Sequence, residues 1–346
     1  MKLSGEVGQP ESLGEAVDSP QNNQGNEAIS KDQKGEDNKS VEGVTNTQNI
    51  KIGISTEDYG TINGQIDYLE TQLGTSFSTV SIYKQFGLSG NNFLDAGSVA
   101  NISSKGKSLL IAWEPWNPVE GLNQSTDYLA QIPKGALDVY ISEFANQVKS
   151  YQKPVIIRFG HEMNGNWYPW GNFNDESTYN YVSMWVHVHN IFEEEKADNV
   201  IWVWSPNNTD QFGETDGVLD YYPGVNYVDW VAFSGFNWGN AYKGNSWMDF
   251  KTLSWPIYST LSTLNKPIMV AETSSVSTGG DKAGWFYETL QKDIPGMPQI
   301  KAVVLFNEDY GKADFRLDSG MDADQVLYDA IVDNGYYLRE PVVAYR

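Results

Sequence analysis

The 346-residue sequence contains no cysteine, which excludes disulfides, thiolate metal sites and cysteine nucleophiles. Basic residues are also scarce: 23 Lys and Arg stand against 45 Asp and Glu, so the formal net charge is −22. Nucleic acids and anionic membranes bind clustered positive charge, so we expect neither as a partner. The sequence has no run of about 18 apolar residues, which is the length a membrane helix needs, and we therefore expect no membrane insertion.

Residues 1–48 differ in composition from the remainder of the chain. They hold no aromatic residue and only 10 hydrophobic ones, so they cannot bury enough apolar surface to offset the entropy of ordering. We predict a disordered acidic linker over 1–48 and one folded domain over 49–346, which contains all 46 aromatic residues. A secretory signal is absent from this sequence, and we expect an extracellular or surface-tethered monomer whose signal has been removed.

Short β-branched or apolar runs alternate with longer helical segments after residue 49. Eight such runs predict an α/β fold, a single (β/α)8 TIM barrel, and a doubly wound sheet is the alternative. The sequence lacks the Gly-rich phosphate loop that usually accompanies a doubly wound sheet. The predicted strands are 51–55, 80–83, 108–113, 155–159, 200–204, 230–233, 267–271 and 301–306, and helices are predicted over 136–151, 177–196, 247–264 and 282–292.

Two glutamates follow directly from predicted barrel strands. Glu162 comes after strand four and Glu272 after strand seven, so the two would face each other across the mouth of the barrel. A carboxylate at the end of a buried strand is costly without a task or a partner. A pair of carboxylates among aromatic side chains is typical of glycoside hydrolysis. Half of the tryptophans fall at or just beyond strand ends, which core packing alone does not explain: Trp113, Trp116, Trp167, Trp170, Trp204 and Trp238.

Other chemistries find little support among the three histidines. His161-Glu162 begins like a zinc HExxH helix, but Gly165 stands where the second histidine belongs. His187 and His189 are two residues apart in a predicted helix and point to different faces. No G-x-S-x-G elbow exists for a serine triad, and no EF-hand spacing is present for calcium. Calcium on the acidic surface stays open as an alternative.

The sequence resembles glycoside hydrolase family 26, a group of retaining (β/α)8-barrel endo-glycanases, over nearly all of residues 50–340. The segment most similar to the family signature is Arg158-Phe-Gly-His161-Glu162-Met-Asn-Gly-Asn-Trp167-Tyr-Pro-Trp170-Gly. The other family-like segments are Ala112-Trp-Glu-Pro-Trp116-Asn, Trp202-Val-Trp-Ser-Pro-Asn207 and Lys266-Pro-Ile-Met-Val-Ala-Glu272-Thr.

The resemblance implies that Glu162 is the general acid/base and Glu272 the nucleophile, with no metal or organic cofactor. It implies that His161 helps to hold the sugar and that Trp167 and Trp170 line the cleft. Aromatic surroundings should raise the pKa of Glu162 so that it stays protonated. Because Arg158 has the strand parity of Glu162, we expect its positive charge to keep Glu272 ionised. The further substrate-binding candidates are Trp116, Asn207, Phe236 and Trp238.

Two departures from the family pattern affect these expectations. Phe236 stands where relatives usually carry a strand-six tyrosine that bonds the nucleophile, so either activity is reduced or another group replaces the hydroxyl. A tryptophan often found on strand eight corresponds to Leu305. The resemblance implies a neutral polysaccharide substrate, either β-1,4-mannan or mixed-linkage β-1,3-1,4-glucan, with β-1,3-xylan and an exopolysaccharide as further alternatives. A polysaccharide-binding barrel that has lost turnover, and a barrel enzyme with metal chemistry, are the other function classes.

Overall fold

The computed structural model describes residues 49–56, 62–173, 177–319, 323–332 and 336–338. The linker predicted over residues 1–48 lies outside the described residues. None of the described helices is both long and apolar enough to span a bilayer.

Eight parallel strands form a closed barrel, because the first strand pairs with both the second and the eighth. The TIM-barrel prediction is therefore confirmed. A ninth strand of two residues lies parallel to the start of the first. The strands are β1 (Ile50–Ser55), β2 (Thr79–Gln85), β3 (Ser108–Glu114), β4 (Val155–Phe159), β5 (Val200–Trp204), β6 (Trp230–Asn237), β7 (Ile268–Ser275), β8 (Ile300–Phe306) and β9 (Tyr337–Leu338).

Helices follow the strands and surround the barrel. Aspartate side chains cap four of them by accepting a hydrogen bond from a backbone N–H of the first turn, and Asp249 explains why the helix predicted from residue 247 begins at Phe250. The helix predicted over 282–292 is α-helical only to Glu288 and continues as a π-helical turn, Thr289–Asp293. The helices are α1 (Ile62–Leu73), α2 (Ala96–Ser104), α3 (Tyr128–Gln131), α4 (Asp138–Ser150), α5 (Ser177–Glu194), α6 (Phe250–Ser262), α7 (Lys282–Glu288) and α8 (Ala323–Ile331).

Alternate residues of each strand face either the barrel interior or the helices. Val203 and Trp230 belong to a compact interior cluster, whereas Trp113, Trp204 and Phe159 pack outward in the large cluster under the helices. The interior cluster contains Leu110, Ile156, Ile201, Val203, Trp230, Ala232, Met269, Ala271, Ala302 and Val304.

Strand β7 breaks this alternation immediately before Glu272. Its pairing with β6 skips one residue, since Val270 is opposite Phe233 and Glu272 is opposite Ser234, which leaves Ala271 as the extra residue of a β-bulge. Val270 faces the helices and Ala271 faces the interior. Strict alternation would turn Glu272 back toward the helices, but the bulge directs it to the mouth of the barrel.

Candidate active site

Glu162, Glu272 and Arg158 meet at the C-terminal mouth of the barrel. Arg158 Nη1 lies 2.8 Å from Glu272 Oε2, and Arg158 Nη2 lies 3.8 Å from Glu162 Oε1. All three side chains are almost fully buried, with side-chain exposures of 0% for Arg158, 11% for Glu162 and 4% for Glu272. The structure therefore brings together the two glutamates and the arginine that the sequence singled out, and one guanidinium serves both carboxyl groups.

Two serines fix the guanidinium of Arg158 in place. Its Nε donates to Ser205 Oγ at 3.0 Å, and its Nη2 donates to Ser234 Oγ at 2.5 Å. Burial alone would lower the pKa of Arg158, but Glu272 and then Glu162 raise it above its ordinary value, so the group remains a cation. A fixed positive charge thus lies beneath the two glutamates.

Glu162 has a left-handed backbone, with a φ of 56°. This conformation is uncommon for a residue other than glycine and costs on the order of 1 kcal/mol or more. The backbone N–H of Glu162 donates to Ser205 O at 2.7 Å, and Trp167 Nε1 donates to Glu162 Oε2 at 2.7 Å. Burial raises the pKa of Glu162, Arg158 opposes the shift, and Glu272 adds to it. A strained, buried carboxyl group with a raised pKa suits a proton donor.

Tyr83 brings a phenol to Glu272 from the far side of the mouth. The residue lies in the inward-facing row of β2, and its hydroxyl donates to Glu272 Oε1. Burial, and next the charge of Glu272, raise the pKa of Tyr83 well above its ordinary value, so the phenol keeps its proton. The sequence left open whether another group replaces the hydroxyl that Phe236 lacks, and the structure identifies Tyr83 as that group.

His161 is buried beside Glu162. Its Nε2 lies 3.2 Å from the Tyr168 hydroxyl and 3.7 Å from Glu114 Oε1. Burial, with a smaller contribution from Arg158, holds the pKa of His161 well below its usual range. The imidazole is therefore neutral at neutral pH and can offer one donor and one acceptor.

Four aromatic side chains, which we name the β3–β4 wall, form one side of the mouth: Trp116, Trp167, Tyr168 and Trp170. Tyr168 stacks on Trp170 with ring centroids 4.4 Å apart. Trp170 is only 1% exposed and donates through Nε1 to His161 O at 2.7 Å. It therefore supports the wall from behind, whereas the prediction was that it lines the cleft. The partly exposed rings of Trp116, Trp167 and Tyr168 form the open surface.

Glu114 anchors the β3–β4 wall from below. It is 3% exposed, and its Oε2 accepts from Gln85 Nε2 at 2.6 Å and from Trp116 Nε1 at 3.2 Å. Glu114 lies within a family-like segment, but no role was predicted for it. Its position two residues after Ala112, on the interior face at the end of β3, is the signal that could have identified it.

Phe236 and Trp238 belong to a second aromatic surface across the mouth, which we name the β6–β8 wall. Phe236 lies with its ring centroid 5.3 Å from that of Phe306 and 5.2 Å from that of Phe315, and Trp238 lies 4.9 Å from Phe315. Leu305 is fully buried among the residues under the helices, so the aromatic residue that β8 brings to the mouth is Phe306.

The other predicted residues contact groups other than the two carboxyl groups. Asn207 is half-buried in the loop after β5, where its side chain donates to Thr209 O at 2.9 Å and its backbone N–H donates to Asn164. Trp113 and Trp204 are fully buried against the helices. The expectation that tryptophans at strand ends mark the cleft was therefore wrong for these two, because their strand parity directs them outward.

No group of three His, Asp or Glu side chains able to hold a metal occurs in the part of the chain that the structure describes. The short contacts of the site are hydrogen bonds and ion pairs among protein groups. The arrangement offers a carboxyl group with a raised pKa, a second carboxyl group beside a guanidinium, and aromatic surfaces on either side, which together can bind a sugar ring and act on its glycosidic bond.

Comparison with known sequences gives the same family as the motifs. Residues 122–275 match the sequence model described as Glycosyl hydrolase family 26, a span that contains both Glu162 and Glu272. Endoglucanase H of Acetivibrio thermocellus is 34% identical over 238 residues, covering 66% of this chain and 25% of that protein. Mannan endo-1,4-beta-mannosidase of Bacillus subtilis is 28% identical over 153 residues, covering 42% of this chain and 38% of that protein. The chain thus matches about a quarter and somewhat over a third of the lengths of these two relatives.

Solved structures share the fold at low sequence identity. A family 26 β-mannanase from Bacteroides ovatus superimposes with a TM-score of 0.64 at 17% identity, over 84% of this chain and 90% of that chain. This likeness extends over the barrel as a whole.

Proposed function

Because this chain belongs to glycosyl hydrolase family 26, we propose that it is a retaining endo-β-glycanase that cleaves internal bonds of a neutral β-linked polysaccharide. The observation that carries this proposal is the pair of buried glutamates on one guanidinium, Glu162 and Glu272 on Arg158. Their surroundings differ, since Glu162 has a raised pKa while Glu272 receives both a cation and a phenol. Such a difference supports an acid role for Glu162 and a nucleophile role for Glu272.

In the first step an oxygen of Glu272 forms a bond to the anomeric carbon as the bond to the leaving sugar breaks. The proton of Glu162 passes to the leaving oxygen, so no alkoxide is released. In the second step Glu162, now a carboxylate, takes a proton from a water molecule. The oxygen of that water attacks the anomeric carbon and releases Glu272. Arg158 stabilises the negative charge of whichever glutamate is ionised.

The cleft suits a neutral polymer. The walls on both sides present aromatic rings that can stack on the C–H faces of sugars, and His161 is uncharged at neutral pH. We propose β-1,4-mannan or mixed-linkage β-1,3-1,4-glucan as the substrate. The name endoglucanase of one relative supports the glucan, and the name mannan endo-1,4-beta-mannosidase of the other supports the mannan. Because such polymers are too large to enter cells, we infer an extracellular or surface-tethered enzyme.

A polysaccharide panel tests the proposal. Purified protein is incubated with β-1,4-mannan, mixed-linkage β-glucan, β-1,3-xylan and a bacterial exopolysaccharide, and both reducing ends and product lengths are measured. We expect oligosaccharides from one of the first two, with the β-anomer appearing first by proton NMR. Glu272→Gln is the matched control and should release nothing. Binding without release of reducing sugar would identify a binding barrel, and α-anomeric products would exclude retention.

A further inference from the structure

The two oxygens of Glu272 have different partners. Oε2 is paired with the guanidinium of Arg158 at 2.8 Å, and Oε1 accepts a hydrogen bond from the Tyr83 hydroxyl. Arg158 comes from β4 and Tyr83 from β2, so the carboxylate is held from two directions. A single partner would leave the carboxylate free to rotate about its last torsion, and two partners on separate strands prevent that rotation.

The ring of Tyr83 is itself held in place. His161 lies edge-on to it at a centroid distance of 6.3 Å, and the ring packs against the cluster that contains Phe306 and Phe315. These contacts involve the ring and not the hydroxyl. The hydroxyl is therefore aimed at Glu272 by packing that survives when the oxygen is removed.

The neighbouring aromatic residue on β6 cannot perform the same task. Phe236 lies in the same aromatic cluster as Tyr83 but carries no hydroxyl. Ser234, which is opposite Glu272 on β6, accepts from Arg158 Nη2 at 2.5 Å. Tyr83 is the residue whose phenol reaches Glu272.

We propose that Tyr83 is the positioning residue that orients Glu272 and favours its ionised form. The catalytic consequence rests on the proposed function, whereas the effect on the protonation of Glu272 does not. Removal of the phenol donor leaves one carboxylate oxygen without its hydrogen bond, so the ionised form is less favoured and the carboxyl takes up its proton at a higher pH.

Several other groups face this pair and belong in the interpretation of any titration. Arg158 from β4 and the titratable Glu162 from the following loop lie close to Glu272. His161 and Tyr168 from the same loop and Tyr310 from the loop after β8 face Tyr83. A Tyr83→Phe substitution leaves all five in place, so a change in titration reports the lost hydroxyl.

The test compares Tyr83→Phe with wild type and with Tyr140→Phe. Tyr140 is a matched control because its hydroxyl donates to Asn92 O at 2.7 Å, away from both carboxylates. Glutamate is labelled with 13C at the side-chain carboxyl, and the Glu272 signal is identified by its loss in Glu272→Gln. We expect the titration midpoint of this signal to move up by about one pH unit in Tyr83→Phe and to stay unchanged in Tyr140→Phe.

Kinetics give a second readout of the same variants. For Tyr83→Phe we expect the acid limb of kcat/KM against pH to move upward by the same amount and kcat to fall about 10-fold. KM should stay within about twofold of wild type, because the hydroxyl contacts Glu272 and not the sugar. A purely structural hydroxyl would lower Tm in both variants and leave both limbs unchanged.

Unchanged Glu272 titration in Tyr83→Phe would overturn the inference. A wild-type protein that cleaves none of the panel polysaccharides would overturn the proposed function only, since the NMR titration needs no turnover and still decides the role of Tyr83.

Discussion

The substitution Arg158→Lys keeps a positive charge at the centre of the site but removes the planar fork that organises it. The guanidinium contacts Glu272 at 2.8 Å, Glu162 at 3.8 Å, Ser205 at 3.0 Å and Ser234 at 2.5 Å, all from one fully buried side chain. An ammonium group is a single point with three donors and cannot reach these four partners at once. We therefore expect the lysine to keep its contact with one carboxylate and to lose both serines.

The magnitude follows from the contacts that are lost. Each serine hydrogen bond contributes about 1 kcal/mol net, so the free energy of unfolding should fall by about 2 kcal/mol. During the reaction negative charge shifts between Glu162 and Glu272 beside Arg158. If the transition state loses the same amount of stabilisation, about 2 kcal/mol, kcat/KM falls about 30-fold. Removal of the charge as well, in Arg158→Met, leaves a buried carboxylate unpaired and should cost about 3–5 kcal/mol.

Chemical denaturation and kcat/KM on the best panel substrate measure these two effects. Arg316→Lys is the control, because Arg316 binds Asp314 with the same fork, at 2.9 and 2.7 Å, in a half-exposed loop away from the glutamates. It should change neither stability nor activity appreciably, since exposed ion pairs contribute little. Arg158→Lys with kcat/KM within twofold of wild type would refute the electrostatic role assigned to the guanidinium.

Three further predictions concern the two glutamates. Glu272→Ala should abolish turnover of a β-glycoside and keep binding; azide should restore cleavage with an α-glycosyl azide as product, and a β-azide would argue against Glu272 as nucleophile. For Glu162→Ala we expect a near-normal rate of glycosyl-enzyme formation from aryl glycosides whose leaving groups need no proton. On polysaccharide the rate should fall about 10²–10⁴-fold, and stopped-flow kinetics can measure this contrast. Burial raises the pKa of Glu162, so its protonated form stabilises the fold below the unfolded pKa of about 4.3 and this contribution disappears as pH rises through the folded pKa. Glu162→Gln should therefore raise Tm more at pH 7 than at pH 4, and calorimetry showing an equal or opposite difference would contradict the shift.

Hydrophobic runs predicted the barrel well, because every strand of a parallel barrel is buried on both faces and reads as a continuous apolar segment. The predicted strands 155–159 and 200–204 coincide with β4 and β5, and the predicted 230–233 and 267–271 end four residues before β6 and β7 do. The missing ends carry Ser234 and Glu272, polar residues that interrupt the apolar runs. Strands that extend into an active site lose their apolar signal where the site begins.

Residue parity could be derived from the sequence, but long-range partnership could not. Parity placed Arg158 with Glu162, and the structure confirms their shared side of the barrel. Tyr83 is 189 residues from Glu272, and nothing local to either residue indicates their hydrogen bond. Trp170 was predicted to line the cleft because it lies in a family-like segment. Tyr168 stacks in front of it, and this tertiary contact, which the segment does not indicate, decides which ring a sugar can reach.

The β-bulge at Ala271 has a consequence for anyone who would rebuild this barrel. Idealised design favours strands of regular pleat. A regular strand with the same residues, Val270-Ala271-Glu272, would turn the Glu272 side chain to the opposite face of the strand. Every residue would be retained, yet the carboxylate would be buried among hydrophobic helix contacts and the mouth would hold only Glu162. The number of backbone units before Glu272, as much as its side chain, therefore has to be preserved in any transplant of this site.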